Sequence, residues 1–456
     1  MKKLTNKRLL PNLTRLCFLG LFVAGLTTDS IAQETITLPQ AIDRMLQNNL
    51  TIKQGALNVA TSDVNLRQSK AAILPSLNAT NNNNLSFGRG LDQTSFQIVN
   101  QKLYQSNGSI GTSIDLFGGF AKINQIKQNK ILLEADQSNV EKIKNDLTLD
   151  VVVAYMQVVY NEDLLKASRE QLSVSEQTLK RETALLEVGN KTMADISQAK
   201  AQMSTSELNV TNAQNDLSIS YLTLAQLMEM GTDTATFKVV APTVSEIEIA
   251  ETNYEVNEVY KQALVNFPDI KLASLNTLAA EKGIDIAKGS LYPSISLNGG
   301  LASSYSYIFK TPAPQDNFSK QFSDRFNQYI GLSLQIPIFN GLSAKSNVRR
   351  AKITYQDFKI QEQLVKNNLN KVIAQAVLDL KAAESRYRST QNTFNAQQDA
   401  FNVNEQRYNV GLVNSLDYNT AITNRNRAEI DFIQAKYDLV FRSKVIDYYL
   451  GKQIRF

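Results

Sequence analysis

The sequence predicts a mainly helical, internally duplicated chain in which long antiparallel coiled-coil hairpins accompany four β-strands. Three observations predict it. From Val151 to Leu186 every seventh residue is apolar: Val151, Val158, Leu165, Leu172, Leu179 and Leu186. Adding 222 to each number gives Ile373, Leu380, Tyr387, Phe394, Phe401 and Tyr408, again all apolar. A strict seven-residue repeat keeps its seam on a partner only by supercoiling, so both stretches read as coiled-coil helices. A second seam follows each of them. It runs through Ile196, Met203, Val210, Leu217 and Leu224, and 222 residues later through Tyr418, Arg425, Phe432, Leu439 and Ile446, with one polar break. Finally, after Pro75 and again after Pro293 the apolar period changes from helical to two, which marks strands.

The chain begins with basic residues (Lys2, Lys3, Lys7, Arg8, Arg15), an apolar run from Leu16 to Leu26, and Ser30-Ile31-Ala32 as a small-x-small cleavage site. Residues 1–32 are therefore expected to be a secretory signal peptide, with a mature start near Gln33. A membrane anchor is the competing reading, but the run falls short of the roughly 20 apolar residues a spanning helix needs. Cys17, the one cysteine, opens the apolar run instead of following it, which fits a signal-peptide residue better than a lipidation site. The mature chain then uses neither disulfides nor thiolate ligands.

The net charge of +5 belongs largely to that leader. Without residues 1–32, 43 basic residues face 42 acidic ones, and no basic footprint for nucleic acid remains. There is no histidine, so the commonest general base and metal ligand is missing. No enzyme activity, cofactor or metal is expected.

A first repeat is expected over residues 33–230. Leu38–Asn48 and Ile52–Leu74 read as helices, the second ended by Pro75. A β-hairpin follows over 76–117 and a long helical hairpin over 118–230. Residues 231–253, with Gly231 and Pro242, read as an irregular connector. A second repeat over 254–456 has helices, a β-hairpin over 294–339 and a helical hairpin over 341–450. Asn48, Ile52 and Pro75 recur 218 residues on as Asn266, Ile270 and Pro293, whereas the long helices recur at 222. The strands place apolar residues on one side and small or polar ones on the other. Ile110, Thr112, Ile114 and Leu116 alternate with Ser109, Gly111, Ser113 and Asp115; Ile330, Leu332, Leu334, Ile336 and Ile338 alternate with Tyr329, Gly331, Ser333 and Gln335. The loops between strands are expected at about Gly88–Gly108 and Lys310–Asn327, with aromatic residues at their edges. Such girdles mark membrane interfaces on barrels, although sheets in general favour aromatics. Matched turns, Leu116-Phe117-Gly118-Gly119 and Ile338-Phe339-Asn340-Gly341, lead from strand to long helix.

Sheet that spans a bilayer has to close, because an open edge leaves backbone groups unpaired in hydrocarbon. Four strands cannot close alone, since single-chain barrels start at about eight. If these strands span, several copies contribute to one barrel: two give eight strands and three give twelve. The helical hairpins make the same demand, since they present more apolar seam than one chain covers.

Each long hairpin turns at a Val-Gly, Val188-Gly189 and Val410-Gly411-Leu412. An aspartate follows six residues after each glycine (Asp195, Asp417) and an alanine ten after (Ala199, Ala421). In this duplicated order the chain resembles the TolC family of bacterial outer-membrane efflux proteins over nearly the whole mature sequence. The resemblance implies a homotrimer whose strands form one twelve-stranded barrel in outer-membrane lipid. Its helices would form a cylinder through the periplasm. It implies a passive exit duct fed by an inner-membrane pump through a periplasmic adaptor. Val188, Gly189, Val410, Gly411 and Leu412 correspond to the adaptor-docking tips. Tyr408 corresponds to a tyrosine that hydrogen-bonds an aspartate of the other hairpin, here Asp195, to hold the aperture closed. The plainer reading is that Asp195 caps a helix and Tyr408 continues the seam. Asp417 corresponds to an acidic ring at the aperture. The chain departs from the family pattern at Asn190, where leucine is usual, at Val413, where a basic residue is usual, and at Thr420, where a further aspartate is usual. Two other functions fit parts of the sequence: a duct for type I protein secretion, and a secreted coiled-coil scaffold or adhesin.

Overall fold

The computed structural model describes residues 34–91, 96–231, 237–241, 254–309 and 314–452. The expected signal peptide, Cys17, and Pro242 of the connector lie outside them. The described residues open with a short strand, β1 (Glu34–Ile36), followed by helices α1 (Leu38–Asn48) and α2 (Leu50–Ala71). Strands β2 (Ser76–Leu91) and β3 (Ile98–Gly118) lead into α3 (Ala121–Glu187) and α4 (Met193–Leu227). After β4 (Phe237–Val239), the order repeats with α5 (Val256–Asn266), α6 (Pro268–Gly289), β5 (Ser294–Phe309), a short helix α7 (Phe318–Asp324) and β6 (Asn327–Gln335). Helices α8 (Ser343–Asn409) and α9 (Ser415–Tyr449) complete it.

Both α3 and α8 contain 67 residues, and α4 and α9 contain 35, with every boundary displaced by 222. At 1.5 Å per residue each 67-residue helix is about 100 Å long. The junctions that launch them also match. Gly119 and Phe120 have φ of 58° and 61°, and Gly341 and Leu342 have 63° and 65°. Two successive left-handed residues turn the chain sharply from sheet to helix. A Cβ on Gly119 would lie 2.4 Å from the Gly289 carbonyl oxygen, so only glycine fits where the end of α6 crosses the start of α3.

Sheet β2–β3–β5–β6 is antiparallel throughout and, among the described residues, has two unpaired edges. The strand ends differ from expectation. The first loop is much shorter than Gly88–Gly108, because Ile98–Gly108 extends β3 and pairs with Asn81–Leu91. The second loop contains α7. Strand β6 stops at Gln335, one residue before Ile336 and Pro337, and Ile338 is left exposed. Pro337 has no N–H for a ladder and forces this end. The connector is less irregular than expected: β4 pairs in parallel with β1. Tyr155 of α3 fixes this pair by donating to the Val240 carbonyl (2.7 Å) and accepting from the Val240 N–H (3.0 Å). Burial pushes this phenol up to about 12.

The principal core lies at this level. Val151, Val152, Tyr155, Val158 and Val159 of α3 pack with Met45, Leu224, Met228 and Phe237. A second core joins α5, α6, α8 and α9 around Ile373, Val377 and Leu380. Towards the hairpin turn the first seam changes character. Leu172, Leu179 and Leu186 are only half-buried, while Ser168, Gln171, Ser175, Thr178 and Glu182 are buried. Facing them on α4 are Ala199, Ser206, Ala213 and Ser220, one heptad apart, and the Ser175 and Ser206 hydroxyls meet at 2.9 Å. Small residues let the two helices approach closely, so the apolar seam of the sequence runs beside the contact line. In the second hairpin Ala421, Ala428 and Ala435 repeat this alanine–serine series at 222, and Phe394 stacks on Phe432 at 5.7 Å.

Candidate functional site

The two hairpin turns are built alike. Gly189 has φ 78° and Gly411 has φ 77°. Asn190 N–H bonds the Leu185 carbonyl and Gly189 N–H that of Leu186, at 2.9 Å each; Leu412 bonds Arg407 and Gly411 bonds Tyr408, at 2.9 and 3.1 Å. This is the Schellman closure, which needs a left-handed residue that glycine supplies without strain. The apolar residue that such a turn favours after its glycine is present as Leu412 and replaced by Asn190 in the first copy. Val188, Val410 and Leu412 are 68%, 70% and 75% exposed, and Met193 and Leu416, which the sequence reading missed, add to the same apolar end.

Each return helix begins with a side-chain cap. Asp195 N–H donates to the Thr192 hydroxyl, and the Asp195 carboxylate accepts from the Thr192 backbone (3.0 Å) and hydroxyl (2.8 Å). These bonds, the Thr192 backbone first, hold the Asp195 carboxyl below the usual carboxylate range. Asp417 occupies the same position in α9, its N–H donating to Asn414 Oδ1 at 2.8 Å, and its side chain is exposed.

The expected Asp195–Tyr408 hydrogen bond is not formed within the chain. Asp195 is committed to its cap, with Ser415 and Lys191 also acting on its carboxyl, and Tyr408 makes ring contacts instead. Its ring stacks on Tyr418 with centroids 4.4 Å apart and planes 4° from parallel, and with Ile422 it forms a small apolar core beside Val174 and Val413. The Tyr408 hydroxyl is buried, and among the described residues no hydrogen-bond partner reaches it.

A different set of residues joins the hairpins. Glu182 of α3 is 1% exposed. Lys191, between the first turn and α4, places Nζ 3.3 Å from Glu182 Oε2. Ser415, the first residue of α9, donates its hydroxyl to Glu182 Oε1 at 3.2 Å and accepts a short hydrogen bond from Lys191. The Lys191 ammonium also lies 4.6 Å from the Tyr408 ring centroid, a cation–π contact. Arg181 donates to Asn409 Oδ1 at 2.7 Å. The sequence held a signal for this. The basic residue missing at Val413, two past the second glycine, stands two past the first glycine as Lys191.

The phenol–carboxylate pairing expected at the tip occurs farther up. Tyr437 of α9 donates to Asp163 of α3 at 2.6 Å, and Tyr221 of α4 to Glu162 at 2.6 Å. Burial, then the neighbouring carboxylate, raises both phenols above their ordinary value. These bonds tie helices together beside the principal core.

At the other end of the molecule the sheet has two chemically distinct faces. Register places Leu77, Ala79, Ile110, Leu297, Leu301, Ile330 and Leu332 on one face. The opposite face carries Asn78, Thr80, Asn82 and Asn84 of β2, Gln105, Asn107 and Ser109 of β3, Asn298 and Ser304 of β5, and Ser333 of β6. Its acidic group, Asp115, sits at the helix end and pairs with Lys122 at 2.8 Å. Among the described residues, no cluster of histidine, cysteine or carboxylate side chains is arranged to hold a metal ion.

A family model described as "Outer membrane efflux protein" matches residues 41–229 and 259–452. The chain belongs to the outer membrane efflux protein family. The outer membrane efflux protein BepC of Brucella suis is 23% identical over 420 residues, which cover 92% of this chain and 85% of BepC. The outer membrane protein TolC of Vibrio cholerae is 24% identical, over 80% of this chain and 83% of that protein. In fold the chain resembles the outer membrane protein VceC of Vibrio cholerae, with a TM-score of 0.73 at 18% identity, over 91% of this chain and 96% of VceC. As a member of this family it is an outer-membrane efflux channel protein, with its helical part on the periplasmic side. In a closed barrel of this family the apolar sheet face would be the lipid-facing wall, the amide- and hydroxyl-rich face the lumen, and the hairpin turns the periplasmic tip.

Proposed function

We propose that three copies close their sheets into one twelve-stranded barrel and their hairpins into a periplasmic cylinder, forming the exit duct of a tripartite efflux assembly. The observation that carries this reading is the four-stranded sheet, open at β2 and β6 yet apolar on its outer face. Open edges are excluded from hydrocarbon, so β6 of one copy pairs with β2 of the next. The duct is passive, and energy and substrate come from an inner-membrane pump through a periplasmic adaptor.

In this reading the adaptor seats on Val188, Gly189, Val410, Gly411 and Leu412. The exposed valines and leucine offer apolar contact, and the glycines let a partner approach the backbone. The aperture is held by Glu182, Lys191 and Ser415, which bind the two hairpins of one copy across the tip, with Tyr408 stacked beneath. Asp195 contributes by fixing the start of α4, and Asp417 presents its exposed carboxylate at the mouth. Adaptor binding at the turns displaces Lys191, and the hairpins separate.

The test is efflux in a bacterial host that lacks its own exit duct and is supplied with the adaptor and pump of the source organism. The intact chain should lower accumulation of a fluorescent pump substrate. Val410→Asp with Leu412→Asp should restore accumulation while leaving pore formation in planar bilayers intact. Equal efflux by that variant would overturn the docking assignment, and no efflux by the intact chain would overturn the function.

A further inference from the structure

The lipid-facing wall is interrupted. Above the apolar rows ending at Ala79, Ile110 and Leu301, the next row across the sheet is Asn81, Gly108 and Ser303. In hydrocarbon such polar groups have to be satisfied and covered. They are satisfied. Ser106 donates to Asn81 Oδ1 at 3.2 Å, and Ser303 donates to the Phe322 carbonyl of α7 at 2.7 Å. The cover is α7 itself, which folds back from the loop onto this outer face.

The short helix is anchored by glutamines. Strand β6 begins at Asn327, opposite Ala302, so β5 beyond Ala302 has a free edge. There Gln321, 5% exposed, accepts from Ser306 N–H (3.0 Å) and donates to the Ser306 carbonyl (3.0 Å). Gln315 does the same at Ile308, at 2.6 and 2.7 Å. Each side-chain amide imitates a strand neighbour. With the helix so fixed, Phe318 and Phe322 of α7 and Phe326 just beyond it, four residues apart, remain 57%, 46% and 52% exposed, Phe318 packing edge-on to Tyr305 of β5. Lys320 instead pairs with Asp316 at 2.8 Å. Between Phe322, Phe326 and the wall residues Ala79, Ile110 and Leu301 runs an apolar groove of about 370 Å³.

We propose that α7 is a lipid-seated element: its phenylalanines continue the apolar belt across the polar row, and the groove beneath them holds an acyl chain of the outer leaflet. Continuity with the belt on the same face selects lipid as the occupant. The proposal rests on the barrel reading above. It gives the second extracellular loop a membrane-anchoring function.

The chain contains no tryptophan, so one introduced residue reports alone. Phe318→Trp and Phe322→Trp would be prepared singly in the full assembly and reconstituted into phosphatidylcholine vesicles brominated on the acyl chains. Leu332→Trp on the outer wall and Tyr329→Trp on the lumen wall serve as references. The proposal expects both α7 tryptophans to lose most of their emission, as Leu332→Trp does, while Tyr329→Trp keeps its own. If Leu332→Trp is quenched and the α7 tryptophans are not, the proposal is overturned. Aqueous iodide then tells whether water (quenched) or a second copy (protected) covers them. If Leu332→Trp itself escapes quenching, the barrel reading fails, and the proposal with it.

Discussion

Lys191 neutralises a glutamate that has almost no contact with water. Removing one member of a buried pair strands the other, at a cost of about 3–5 kcal/mol. Lys191→Met should therefore loosen the tip and raise single-channel conductance in planar bilayers. Glu182→Gln with Lys191→Met should regain stability without regaining closure. Unchanged conductance in Lys191→Met would remove this residue from the gate. Asp195 predicts a pH dependence of known sign. Its carboxyl is held below the usual range, so its cap is present at neutral pH and lost as pH falls through that lowered value. Hydrogen exchange at the start of α4 should accelerate over that acid window, and Asp195→Asn should flatten the profile. At neutral pH, Thr192→Ala should cost about 1 kcal/mol of local stability by removing the same cap.

Among the elements, the alanine and serine series on α4 and α9 controls how closely the helices pair. Ala213→Leu or Ala435→Leu overfills a line where both residues are buried, at a cost of about 1–3 kcal/mol, read as a lower melting temperature of the assembly. Ala213→Ser, which keeps the small-residue line, should change little. This contrast shows what was legible in the sequence. The 222-residue displacement, the hairpins and the strand faces were readable because apolar periodicity records them directly. The contact line near the tip was not, because serine, threonine and alanine carry no apolar signal. The turn glycines and the aspartates six residues after them stood out by their spacing, whereas the cap residues Thr192 and Asn414 did not. Glu182 and Ser415 were not, since 233 residues separate them and only the fold brings them together. Pairing of β1 with β4 escaped for the same reason: three-residue strands leave no period to read.

At the scale of the proposed trimer, lumen and tip divide the work. In the proposed barrel the inner face is amide and hydroxyl, with its carboxylate Asp115 paired at the helix end, so the barrel would confer little charge selectivity. Whatever cation preference the duct has should come from Asp417, which three copies would gather around one axis. Asp417→Asn should lower the cation-to-anion permeability ratio measured by reversal potential, and Asn82→Asp in the barrel should raise it. Both effects depend on a closed ring of three. The most direct measurement is therefore the protein mass of the detergent-solubilised assembly by light scattering, corrected for bound detergent. Three copies of the chain are expected. A monomer, a dimer or a species needing no detergent would contradict it.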